Sequence, residues 1–164
     1  MPGSDLVMYD EEFKQVDAEL RRLLQQANAK VVFLVDKNGQ LIAAIGETEN
    51  LDTTSLASLT AGNIAATGGM AKLLGEKEFS ILFHEGARDN IHISIIGQRV
   101  ILVVIFDQRS SLGLVRLRVK KSAEALGGIF DRLLQRMEME KGPGKDAPSP
   151  FAEITDEDID KLFG

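Results

Sequence analysis

Two uninterrupted apolar runs constrain this chain most, Val31–Val35 (VVFLV) and Val100–Phe106 (VILVVIF). Both are rich in β-branched residues, and neither shows the alternation of a strand with one wet face. Runs of this kind suit strands covered on both sides. Even the longer one is far too short to span a bilayer. Whatever else the chain does, it must build a sheet sandwiched between helices, with Val100–Phe106 at its centre.

The flanking segments complete that sheet. Asn38-Gly39 is the strongest hairpin signal, because both residues tolerate positive φ, and Leu41–Ile45 is the returning strand. Phe79–His84 is a further candidate strand. Gly86 and Asp89-Asn90 form a turn, and Ile91–Ile95 then alternates with period two. Gly97-Gln98 turns the chain into the central run.

Three segments follow helical spacing. Asp10, Glu11 and Glu12 open the first, favourably for the helix dipole. Its stripe is Phe13, Val16, Leu20, Leu23, Leu24 and Ala27, with Asn28 as the stop. The last starts at a Ser110 or Ser111 cap and buries Leu112, Val115, Val119, Ala123, Leu126, Phe130, Leu133 and Met137. The order is helix, two strands, helix, three strands, helix. The simplest architecture is an α+β sandwich: a five-stranded antiparallel sheet, the middle helix on one face, the first and last helices on the other.

The middle helix, Thr54–Gly75, is capped by Asp52, Thr53 or Thr54 and carries Gly62, Gly68 and Gly69 inside it. Each interior glycine costs about 1 kcal/mol relative to alanine. Leu56, Leu59, Met70, Leu73 and Leu74, with Ala66 between them, form an apolar stripe expected to pack on the core. Ser58, Gly62, Ala65 and Gly69 form a second stripe of small side chains, which lets another backbone approach closely. That approach is either packing within the fold or its own copy, or docking of a different protein.

Composition narrows the function. The chain has 164 residues, room for one domain and a short appendage. It lacks cysteine, so a disulfide framework, a thiol nucleophile and a thiolate metal site are excluded. A net charge of -6 argues against nucleic acid as partner. Met1–Phe13 has neither the basic nor the apolar region of a signal peptide, so the expected location is the cytoplasm, without membrane insertion. No phosphate-cradling loop is present: Gly69 and Gly75 have the wrong spacing, and Lys77 does not follow Gly75 directly. His84 and His92 are too few for a zinc site. Ser110-Ser111 has no histidine near it in sequence. No catalytic residue and no cofactor are expected. The apolar strands show no polar cluster that would line a small-molecule pocket. Arg116, Arg118, Lys120 and Lys121 form the one basic cluster, either a solvated helix face or a site for an acidic or phosphate-bearing partner.

The last part of the chain is different in composition. Gly142, Pro143, Gly144, Pro148 and Pro150 mark residues 140–150 as an irregular linker. Residues 151–164 interleave Phe151, Ile154, Ile159, Leu162 and Phe163 with five acidic side chains and one lysine. This is either a solvated tail or an amphipathic segment that folds on a partner.

The segments Val31–Leu41 (VVFLVDKNGQL), Leu56–Ala66 (LASLTAGNIAA), Gly75-Glu76, Phe83–Gly86 (FHEG) and Val103–Asp107 (VVIFD) resemble the roadblock family. The resemblance covers residues 5–139 as one roadblock domain. It is strongest to bacterial members that regulate polarity and gliding motility, whose tails resemble Ser149–Phe163. It implies a roadblock/longin-like fold and a homodimer with sheets joined edge to edge and middle helices side by side. It further implies one small Ras-like GTPase bound per dimer, with hydrolysis accelerated by repositioning the GTPase's own residues, without an arginine finger. Ser58, Ala61, Gly62, Ala65, Gly69 and Lys72 are the expected GTPase-binding residues. Phe151, Ile154, Ile159, Leu162 and Phe163 are the expected second contact, which affects nucleotide exchange. Concentration at a cell pole is implied in the same way. A scaffold dimer that positions partners without changing turnover remains the alternative, less favoured because it has no need of the acidic, apolar tail.

Overall fold

A computed structural model describes residues 9–145, and side chains as far as Glu140. The elements run α1 (Asp10–Gln26), β1 (Val31–Asp36), β2 (Leu41–Gly46), α2 (Thr53–Leu74), β3 (Ile81–Glu85), β4 (Asn90–Ile96), β5 (Val100–Phe106) and α3 (Leu112–Lys145). The five strands form one antiparallel sheet in the order β2-β1-β5-β4-β3. The apolar run Val100–Phe106 is the central strand, as its composition predicts. Every residue of β1 and β5 is buried.

Burial on both faces of β1 and β5 requires two cores, and there are two. Val32, Leu34, Val100, Leu102 and Val104 face α1 and α3, meeting Val16, Leu20, Leu23, Val115, Leu126 and Leu133. Val31, Phe33, Val35, Ile101, Val103 and Ile105 face α2. The helix arrangement is therefore the expected one: α2 alone on one side, the terminal helices together on the other.

Local chemistry sets the turns. Asp36 ends β1, and its carboxylate accepts from the backbone N–H of Asn38 and of Gln40, at 2.9 and 3.0 Å. Gly39 completes that turn at φ +92°. Asp52 caps α2, accepting from the Ser55 N–H at 3.0 Å, and Gly75 closes the helix in the left-handed region. Ser111 caps α3 through the Leu114 N–H.

Three expectations need correction. The apolar stripe of α2 packs on the core only at Leu56. Leu59, Met70, Leu73 and Leu74 are exposed, Leu73 at 89%. With Leu56, the side facing the sheet carries Ala57, Thr60, Ile64 and Ala71. The sheet face beneath is already bulky with Phe33, Ile93 and Ile101, so α2 settles with its smaller side chains inward. Phe13, assigned to the α1 stripe, is 43% exposed. The third correction concerns the linker. α3 continues to Lys145, through Gly142, Pro143 and Gly144, rather than becoming irregular from Lys141. Extending an existing helix fixes one residue per bond gained, without a new nucleus. Pro143 leaves the Met139 carbonyl without its intrahelical donor, but Met139 is exposed to water. The far part of α3 is also tied to α1. Arg136 pairs with the buried Glu12 at 3.0 Å and lies over the Tyr9 ring, and the Tyr9 hydroxyl bonds to Glu140.

Candidate interaction surface

The outward side of α2 carries both stripes identified in the sequence. Ser58, Gly62, Ala65, Gly69 and Lys72 are all exposed. They lie opposite the buried Ala57, Thr60 and Ala71 on the helix circumference. Ala61 is half-buried beside the β1–β2 turn: a side chain at Gly39 would meet the Ser58 Cα at 3.4 Å and the Ala61 Cβ at 3.6 Å. Five of the six residues expected to bind a partner are thus brought to one accessible face, and the sixth borders it.

Nothing among the described residues requires the glycines on this helix. A Cβ at Gly62, Gly68 or Gly69 would meet no atom within 4 Å. Packing inside the fold therefore does not account for them, and the helix-propensity cost of about 1 kcal/mol each is not offset there. Beside the small stripe stand Leu59, Met70 and Leu73, which the spacing placed inside. The face is apolar, nearly flat and almost without charge: Lys72 is the sole ionised side chain on the whole of α2.

The second part of the surface is the sheet edge. Among the described residues β3 pairs on one side only, with β4. Its Ile81 is half exposed, and Phe83 stacks on Phe106 at 6.1 Å while keeping a third of its surface open. An open apolar edge strand is a template for pairing with another chain. Asn63 on α2 reaches His84 on β3, linking the helix face to this edge.

The two histidines lie on neighbouring strands but on opposite faces. Phe83 pairs with His92 and His84 with Ile91, so His84 points toward α2 and His92 toward α3. His92 is 1% exposed, and burial together with the nearby Arg116 charge holds its pKa below the usual histidine value. Its two ring nitrogens, and the Ser94 hydroxyl beside it, find no hydrogen-bond partner among the described residues. The sequence reading found no polar cluster in the strands; β4 supplies one. Period-two alternation placed both residues on one face but could not reveal that the face is incompletely covered.

The basic cluster is divided by the helix. Arg116 and Lys120 border a groove between α3 and β4, whereas Arg118 is not among its lining residues. Among the described residues no group of three His, Asp or Glu is placed to hold a metal ion, and no helix is long and apolar enough to cross a membrane. The expected tail contacts Phe151, Ile154, Ile159, Leu162 and Phe163 lie outside the described residues.

A three-layer α+β sandwich with an open β3 edge and an apolar, glycine-bearing outer helix is the architecture of a roadblock domain. Residues 15–106 match the Roadblock/LC7 domain, and the chain belongs to that family. It is similar to MglB of Myxococcus xanthus, with 65% identity, 78% of this chain and 96% of that one covered, and a TM-score of 0.74. A gliding protein MglB from Thermus thermophilus is 33% identical over 78% of this chain and 97% of its own, with a TM-score of 0.73. An MglB described as having a tetrameric arrangement is 32% identical over 79% and 97%, with a TM-score of 0.74. No curated protein matches the chain.

Proposed function

We propose that this chain is a GTPase-activating regulator of a small Ras-like GTPase of the MglA kind, acting as a homodimer in cell polarity and gliding motility. The observation that carries the reading is the outer face of α2. It presents glycines and exposed apolar side chains that no described residue packs against, on a chain 65% identical to an MglB.

The face also favours one mechanism of activation. A small GTPase hydrolyses slowly until its water-positioning and charge-stabilising groups are held in place. α2 contains no arginine to insert. It has instead a surface with high shape selectivity, which stimulates hydrolysis by binding the competent arrangement of the GTPase more tightly than the others. Every group that touches the reacting atoms then belongs to the GTPase, and this chain is not itself an enzyme. The β3 edge and the row Leu59, Met70 and Leu73 are best used by a second copy of the chain. Ser58, Gly62, Ala65 and Gly69 then flank the two-fold axis, where one GTPase docks. The tail residues Phe151, Ile154, Ile159, Leu162 and Phe163 make the second contact.

The alternative, a scaffold dimer, uses the same face but has no preference between nucleotide states. Calorimetric titration with a co-encoded MglA-like GTPase separates the two. The activator reading expects the form loaded with a non-hydrolysable GTP analogue to bind about tenfold more tightly than the GDP form, a difference of about 1.4 kcal/mol. Equal affinity favours the scaffold, and no binding of either form refutes both.

A further inference from the structure

The second surface of interest is a groove on the α3 side of the sheet, remote from the outer face of α2. It holds about 660 Å³ between β4, the start of β3 and the first half of α3. Its floor is the pair left without partners among the described residues, His92 and Ser94, at 1% and 5% exposure. Its walls include Ile81 and Leu117, each with about half of its surface open. Arg116 and Lys120 stand on the rim one helical turn apart, with Glu124 one turn further on.

Buried polar atoms without partners are rare in folded proteins, because each forfeits its hydration without return. Here three such atoms lie beneath one groove, on residues that line it. Open apolar walls and two cations lie beside them. The open walls and rim call for a ligand that is both apolar and anionic, and an acidic peptide segment with interleaved apolar side chains meets both needs.

We propose that the occupant is this chain's own C-terminal segment, residues 154–164. The chemistry is complementary. Ile154, Ile159, Leu162 and Phe163 match the walls at Ile81 and Leu117. Asp156, Glu157, Asp158 and Asp160 match Arg116 and Lys120. The reach is also right. The groove borders α3 from Arg116 to Gly127, and the helix ends at Lys145, about 27 Å beyond Gly127 at 1.5 Å per residue. At roughly 3.4 Å per extended residue, about eight residues after Lys145 return the chain to Gly127. The eleven that remain begin at Ile154 and have to cover about 17 Å of groove. This inference goes beyond the GTPase reading and does not depend on it. If the tail also contacts a GTPase, groove and GTPase compete for it.

The full chain allows a direct test, since it has no cysteine of its own. A nitroxide spin label on Asp158→Cys is expected to reduce the amide NMR signals of His92–Gly97 and Arg116–Gly127 to less than half their intensity with the label reduced. Arg116→Glu combined with Lys120→Glu should restore those signals without altering those of β1. A labelled chain with Leu162→Ser and Phe163→Ser, which changes no residue of the described fold, should restore them too. Unaffected groove signals in the labelled parent overturn the proposal and leave the groove to a segment of another protein. Broadening centred on α2 instead, or broadening that persists in both sets of variants, also overturns it.

Discussion

The Asn63 side-chain amide donates to Nε2 of His84 across 3.0 Å, joining the middle of α2 to the edge strand β3. Helix face and sheet edge are thus one connected surface. In the proposed dimer, a copy that pairs with β3 meets α2 as well. On this account the most exposed leucines of α2 are interface residues. Leu59→Glu with Leu73→Glu removes two side chains that are 69% and 89% exposed in the protomer, so the two cores stay intact. The expected result is a folded protomer at half the mass in light scattering at tens of micromolar, with unchanged far-UV circular dichroism. A variant that keeps the parent's mass contradicts the dimer placement.

The interior glycines give a second prediction. Gly62→Ala adds a methyl group to open space, and alanine is the better helix former by about 1 kcal/mol. Protomer stability in urea should therefore rise by up to that amount. If the glycine exists for close approach by a partner, affinity for the GTPase should fall at the same time. Higher stability with unchanged affinity means that the glycine serves no contact.

Much of the fold was legible in the sequence because its signals are redundant. The runs Val31–Val35 and Val100–Phe106, the Asn38-Gly39 turn, the Asp52 cap and the stripe of α3 each identify one element, and together they imply the sandwich. The facing of α2 was not legible. Its apolar residues encircle most of the helix, so periodicity selected the larger side chains, Leu59, Met70 and Leu73, as the buried face. Which side turns inward depends on the sheet beneath, where Phe33 and Ile101 are met by Ala57 with Leu56 and Ile64. The groove at His92 escaped notice for a related reason. Strand alternation assigns a residue to a face, but how far α3 covers that face depends on tertiary placement. The small stripe, in contrast, could be found from spacing alone, because glycine and alanine at i, i+3 and i+4 are unusual in an exposed helix.

His92 makes the stability of the protein pH-dependent in a predictable direction. Its folded-state pKa is depressed, so the unfolded chain binds the proton more readily. The neutral ring's contribution is complete above the unfolded value of about 6.5. It is lost as pH falls through that value toward the lower folded one. Asp107, held to about 2 mainly by hydrogen bonds from Arg109, acts in the same direction only in much more acidic solution. Between pH 7 and pH 5 the parent should lose thermal stability, and His92→Gln, which cannot titrate, should lose less. Parallel curves for the two proteins rule out His92 as the source.

Ala65 and Gly69 lie one turn apart on the exposed small stripe. Changing both to arginine puts two long cations where the proposed partner docks, without touching Ala57, Thr60 or Ala71 beneath. Steric overlap and unpaired buried charge should cost several kcal/mol of binding. The expected variant is a folded dimer that no longer stimulates GTP hydrolysis. If it is instead monomeric, the small stripe belongs to the dimer seam. If stimulation persists, the GTPase docks elsewhere.

The central claim is that a chain without catalytic groups of its own accelerates the chemistry of another protein, and single-turnover GTP hydrolysis measures that directly. A co-encoded MglA-like GTPase preloaded with GTP is followed alone and with a stoichiometric excess of this protein. The account predicts a rate at least about tenfold higher with the protein present, equivalent to about 1.4 kcal/mol removed from the barrier, and no hydrolysis by this protein alone. An unchanged rate, with binding confirmed in the same sample, contradicts it and leaves a scaffold.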